Sequence, residues 1–134
     1  MSGLVLKLGP HERLLINGVV IENGDKRTRL AVLTPNASIL RLRDALHPDE
    51  ATTPVRRLCY LAQLPLSGDA DDPEIRKKIL QGIEQLSQVF NDRDSRHLLR
   101  EASDSLLKAQ YYQTLKALRA LLPRESRLLS ADWS

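Results

Sequence analysis

The pattern of apolar and polar positions changes character about a third of the way along the chain. Leu4, Leu6 and Leu8 alternate with Val5 and Lys7, the two-residue period of a half-buried strand. Leu14 to Ile16 and Val19 to Ile21 flank Asn17-Gly18, a dipeptide suited to the two positive-φ positions of a type I′ hairpin turn. A second such pair, Asn23-Gly24 followed by Asp25, precedes the run Thr28 to Leu33. After Pro35-Asn36, Leu40 and Leu42 alternate with Arg41 and Arg43 in the segment Ile39 to Arg43. The pattern predicts four or five short antiparallel strands joined by tight turns.

From residue 53 the period becomes helical. Thr53-Pro54 is an N-cap followed by proline at the first helical position, a common helix start. Val55, Leu58, Leu61 or Ala62, and Leu64 or Pro65 then recur at helical intervals and end near Ser67-Gly68. Asp72-Pro73 repeats the start signal, and Ile75, Ile79, Ile83, Leu86 and Phe90 form one stripe. Asn91 or Asp92 stops that helix and opens the next, with Leu98, Ala102 and Leu106 inward. Leu107, Tyr111, Leu115, Leu118 and Leu122 complete the pattern until Pro123. The expected fold class is α+β. A small antiparallel β unit over residues 1–48 precedes a three- to four-helix antiparallel region over residues 49–134, together one compact domain.

Composition narrows the function classes. A chain of 134 residues buries a core without disulfide or metal staples. Its one cysteine, Cys59, excludes an intramolecular disulfide framework or a Cys-rich zinc site and fits a reducing compartment. No apolar run approaches the roughly 18 residues of a membrane span. The opening Met-Ser-Gly-Leu-Val-Leu-Lys lacks a basic leader with an apolar stretch, so a cytoplasmic protein without membrane contact is expected. The sequence contains no Gly-rich phosphate loop, His-Glu-x-x-His or nucleophile elbow. His11, His47 and His97 lie far apart and read as surface or capping groups. Cys59 reads as a buried thiol, and Asp69, Asp71 and Asp72 as an acidic helix start. No enzyme, catalytic residue, metal site or cofactor is expected.

Charge becomes informative once it is divided by position. The net charge of +3 is small, but residues 1–48 carry seven basic and four acidic groups, while residues 49–134 carry thirteen of each. The surplus therefore belongs to the β-rich third. Residues two apart in a strand share a face, so Arg41 and Arg43 should project together, opposite Leu40 and Leu42. Arg27 and Arg29 do likewise, and Lys7 stands opposite Leu6 and Leu8. Paired strands would then turn an apolar face to the helices and a cationic face outward. Clustered guanidinium groups suit phosphate, because they donate paired hydrogen bonds and displace condensed counterions. The competing expectation is a solvated face that uses Arg to protect strand edges. The candidate RNA-contact residues are Lys7, Arg13, Lys26, Arg27, Arg29, Arg41, Arg43 and Arg56. Arg56 could equally pair with Asp49 or Glu50. The five aromatics, Tyr60, Phe90, Tyr111, Tyr112 and Trp133, all follow residue 59, which argues against a sheet that stacks bases. Leu128, Leu129 and Trp133 follow Pro123 and form a candidate partner contact.

Longer strings resemble a known family. Gly-Pro-His-Glu-Arg-Leu-Leu-Ile-Asn-Gly at 9–18 and Ile-Glu-Asn-Gly-Asp-Lys-Arg-Thr-Arg-Leu at 21–30 resemble the opening of the flagellum biosynthesis repressor FlbT family. Ile39-Leu-Arg41 with Asp44 and Leu46, then Ala51, Thr53-Pro54 and Tyr60-Leu-Ala-Gln-Leu64 continue the match in order. Tyr111-Tyr112, Leu115-Lys-Ala-Leu-Arg119, Leu122-Pro123 and Glu125 complete it. The resemblance implies a post-transcriptional regulator that binds the 5′ leader of flagellin messenger RNA and lowers translation and message stability. Some family members are instead needed for flagellin production. It also implies a pathway shared with a small companion protein, FlaF. The runner-up expectation is an interaction or chaperone-like module that binds flagellin or a FlaF-like partner without RNA, and either is compatible with a homo-oligomer.

Overall fold

The computed structural model describes residues 4–34, 37–67 and 72–131. Five strands come first: β1 (Leu4–Leu8), β2 (Arg13–Ile16), β3 (Val19–Glu22), β4 (Thr28–Val32) and β5 (Ile39–Arg41). Five α-helices follow: α1 (Pro54–Gln63), α2 (Pro73–Leu86), α3 (Arg93–Leu107), α4 (Tyr111–Arg119) and α5 (Leu122–Ala131). The α+β class, with antiparallel strands before helices, is as the sequence predicts.

The strands form two sheets. β1 pairs antiparallel with β4, while β2 lies between β3 and β5 in the second sheet. Asn17 and Gly18 adopt φ of 50° and 81° between paired Ile16 and Val19, as the type I′ hairpin requires. Asn23-Gly24 makes no second hairpin. The Asn23 amide instead donates to the carbonyls of Gly9 (2.7 Å) and Lys26 (2.9 Å), and the chain crosses to the other sheet. Leu6, Leu8, Leu14 and Ile39 fill a small core with Leu30, Val32 and Tyr112 packed against it. Leu15 and Leu40, paired across β2 and β5, serve the opposite side and join the helical core.

This arrangement buries β5 on both faces, which corrects the outward alternation expected for Ile39 to Arg43. Arg41 shares the face of Ile39, as strand geometry demands, but that face meets the first sheet and not solvent. A 3-10 turn over Leu42–Asp44 then breaks the period, so Leu42 is exposed and Arg43 follows a different direction.

The helices start where their caps stand. Thr53 accepts from the Arg56 N–H, Asp72 from Glu74 and Asp92 from Ser95. Buried Glu125 adds a tertiary cap to α1, accepting from the Val55 N–H at 2.8 Å and from the Thr53 hydroxyl. The Gln63 side chain bonds both backbone groups of Leu46 at 2.8 and 2.7 Å, which fixes the segment leading into α1. Ile79, Ile83, Leu86 and Phe90 are buried as the stripe predicts. In α3 it is Leu99, Ala102 and Leu106 that are fully buried, with Leu98 half-buried beside them. The expected continuity from Leu107 to Tyr111 fails. Ala109 takes φ of 57° and turns the chain, leaving Leu107 61% exposed. Pro123 does not end the pattern, since it occupies the second position of α5, where its missing N–H costs no helix bond. Buried hydroxyls of Ser105 and Thr114 share a 2.9 Å hydrogen bond between α3 and α4.

Candidate nucleic-acid interface

The pairing of β1 with β4 places Lys7 directly opposite Arg29. Like charges directly opposite each other in an antiparallel pair repel. Lys7, Arg27, Arg29 and Arg43 line one cleft of about 520 Å³, together with Leu8, Gly9, Pro10 and Thr28, and no acidic residue lines it. Among the described residues Lys7, Arg27 and Arg29 form no ion pair. Arg43 is tethered at its inner edge, with Nε 3.7 Å from a Glu12 carboxylate oxygen and 3.8 Å from Asp44. Four of the eight sequence candidates thus converge.

The other four do not reach that lining. Arg41 is 8% exposed, and its guanidinium donates to both Glu12 carboxylate oxygens (2.6 and 2.8 Å) and to the Lys7 carbonyl (2.6 Å). It also lies against the Tyr112 hydroxyl. These bonds hold the Glu12 carboxyl down to about 2, chiefly through Arg41, and the Arg41 value rises in turn. The pair stitches β5 to the end of β1 and holds Arg41 inward, which corrects the expectation of an outward-projecting cation. Arg13 donates to Glu22 at 2.7 Å on the outer hairpin, lowering the Glu22 carboxyl. Lys26 lies in the loop before β4, and Arg56 in the first turn of α1, both exposed.

A second cleft of about 630 Å³ adjoins the first and shares Lys7 and Arg43 with it. Its far wall is α4 and its C-cap, which contribute Tyr112, Leu115, Lys116, Arg119 and Ala120, and the buried Arg41 of β5 lines it as well. Arg119 reaches back to Asp44, donating to its carbonyl at 3.1 Å and lying 3.4 Å from its carboxylate. Sequence reasoning missed these residues because the helical region is charge-neutral as a whole. Their spacing was the available signal: Tyr112, Lys116 and Arg119 stand at i, i+4 and i+7, one helix face.

The remaining candidates have structural surroundings. His47 caps a 3-10 turn over Pro48–Glu50, and His97 lies 2.8 Å from Glu101 one helical turn on. Cys59 is fully buried, which pushes its thiol up to about 12. Asp72 caps α2, while Asp69, Asp71 and Trp133 lie outside the described residues. Leu128 and Leu129 are each 42% exposed on α5. Among the described residues no helix is long and apolar enough to cross a membrane, and no cluster of His, Cys, Asp and Glu suits a metal ion.

Comparison with known proteins gives a consistent result. The chain is 29% identical over 131 residues to a probable flagellum biosynthesis repressor protein FlbT of Brucella abortus, covering 98% of this chain and 85% of the relative. A protein of the same description from Brucella anthropi is 28% identical over 127 residues, covering 95% and 82%. The Brucella suis relative is again 29% identical over 131 residues, with 98% and 85% covered. No solved structure matches the chain. The family profile described as flagellar protein FlbT matches residues 4–129, so nearly the whole fold, both clefts included, is that of a member of the FlbT family.

Proposed function

We propose that this chain is a non-enzymatic, cytoplasmic regulator of flagellin synthesis that binds the 5′ leader of flagellin messenger RNA. The relatives' description as flagellum biosynthesis repressors supports the regulatory part of this reading. The observation that carries the RNA part is the acid-free cleft where Lys7 and Arg29 oppose each other beside Arg27 and Arg43. An anion bridging these groups relieves their mutual repulsion, and a polyanion gains further by releasing its own counterions. A bound protein over the ribosome start region blocks initiation, and an altered leader exposes the message to nucleases. Gel shift of a flagellin leader by the purified chain tests the reading. Lys7→Gln with Arg29→Gln should weaken the shift and reduce the salt slope of log affinity by about 0.7 per lost contact. Wild-type affinity in the double variant would refute the site.

A second reading has its own observation. β3 exposes Val19 (60%) and Val20 (63%) on the outer strand of its sheet, and α5 exposes Leu128 and Leu129. Exposed apolar strand edges recruit other chains by strand addition. In this reading the chain docks flagellin, a FlaF-like partner or a second copy of itself. Capture of flagellin that survives nuclease treatment favours it, and nuclease-sensitive capture favours the RNA reading.

A further inference from the structure

The cleft between β1 and α4 differs in chemistry from its neighbour. Its apolar lining comes from Leu4, Leu6, Tyr112 and Leu115 beside the buried, Glu12-paired Arg41, and its more exposed cations are Lys7, Arg43, Lys116 and Arg119. Asp44 is the one acid on the lining, and Arg119 and Arg43 already engage it. Lys116 is exposed and has no ion pair among the described residues. Tyr112 is partly buried against the β core, with its hydroxyl at Arg41, so the ring is held in place. An apolar lining beside these cations matches a ligand with a flat apolar body and an attached anion. The volume, about 630 Å³, lies within the usual range for a small-ligand site. Lys7 and Arg43 belong to both clefts, which makes the two linings continuous.

We propose that the β1–α4 cleft is a base-accepting subsite. An unpaired nucleotide of the bound RNA seats its base on the apolar lining beside Tyr112 and its phosphate on Lys116 and Arg119, while adjoining phosphates lie across Lys7, Arg29 and Arg43. This rests on the RNA reading above and deepens it, since it makes the ligand a single-stranded stretch. A duplex keeps its bases stacked and paired and presents only its backbone to such a cleft.

The test uses the full chain with two fluorescent probes, a short oligouridine bearing a thiouridine photo-crosslinker and a duplex RNA of equal length. The wild type should bind the single strand more tightly and crosslink within the peptide that contains Tyr112. Lys116→Gln, a surface change, and Tyr112→Leu, which keeps apolar bulk, should each weaken single-strand binding roughly tenfold and affect the duplex much less. Equal affinity for the two probes, or single-strand binding insensitive to Lys116→Gln yet lost in Lys7→Gln with Arg29→Gln, overturns the subsite and leaves the first cleft standing. Failure of the wild type to bind either probe removes both proposals.

Discussion

Arg29 stands on an exposed strand opposite Lys7 and pairs with no acid among the described residues, whereas Arg41 is buried with Glu12 on its guanidinium. The same residue type therefore does opposite work at two positions. Breaking a buried ion pair by removing one partner costs roughly 3–5 kcal/mol, because the other charge stays buried. Arg41→Gln should lower the free energy of urea unfolding on that scale, while Arg29→Gln should stay within about 0.5 kcal/mol of the parent. Only the second variant then reads out binding without loss of fold. Glu12 adds a pH signature. Its folded value of about 2 lies below the ordinary 4.5, so its stabilisation is complete above pH 4.5 and vanishes as pH falls towards 2. In thermal unfolding, the gap between the parent and Glu12→Gln should narrow across that window. The sequence made Arg27, Arg29 and Lys7 legible as a group because strand alternation shows which residues share a face. It misplaced Arg41 because alternation is silent on whether that face meets water or a second sheet.

At the scale of elements, local chemistry and long-range packing separate cleanly. Thr53, Asp72 and Asp92 each carry their own cap, so those helix starts are written in the chain. The turn at Ala109 was hidden because no glycine marks its positive φ, and α5 because its proline resembles a stop. The partner of β4 was hidden for a different reason: Asn23-Gly24 resembles a hairpin turn, but its side chain serves the Gly9 loop. Close approach of α1 and α2 is another long-range feature. A Cβ added to Gly82 would fall 2.3 Å from a methyl carbon of Leu58, itself buried. Gly82→Ala should therefore destabilise by roughly 1–2 kcal/mol, despite the better helix propensity of alanine. Combined with Leu58→Ala the two losses should add to less than their sum, which a double-mutant cycle in urea measures. Gln63→Leu removes both bonds to the Leu46 backbone and should cost about 2 kcal/mol by the same measurement.

For the whole molecule, what matters is how a modest charge surplus is gathered. The +3 net charge lies in the first 48 residues, but only part of it lines the two clefts. Arg41 and Arg13 are spent on internal pairs with Glu12 and Glu22, and α4 supplies Lys116 and Arg119 from the charge-neutral region. The two clefts thus join both parts of the chain along one cationic track, with Lys7 and Arg43 at the junction. No aromatic lies on the strands, yet a helix brings one against them. The most direct measurement of the central claim is the salt dependence of affinity for a flagellin leader, compared between the parent and Lys7→Gln, Arg27→Gln, Arg29→Gln combined. The account predicts an unchanged unfolding curve, weaker binding and a salt slope reduced by about 2 on the logarithmic scale, the sum of three lost phosphate contacts. An unaltered slope and affinity in the triple variant would contradict it.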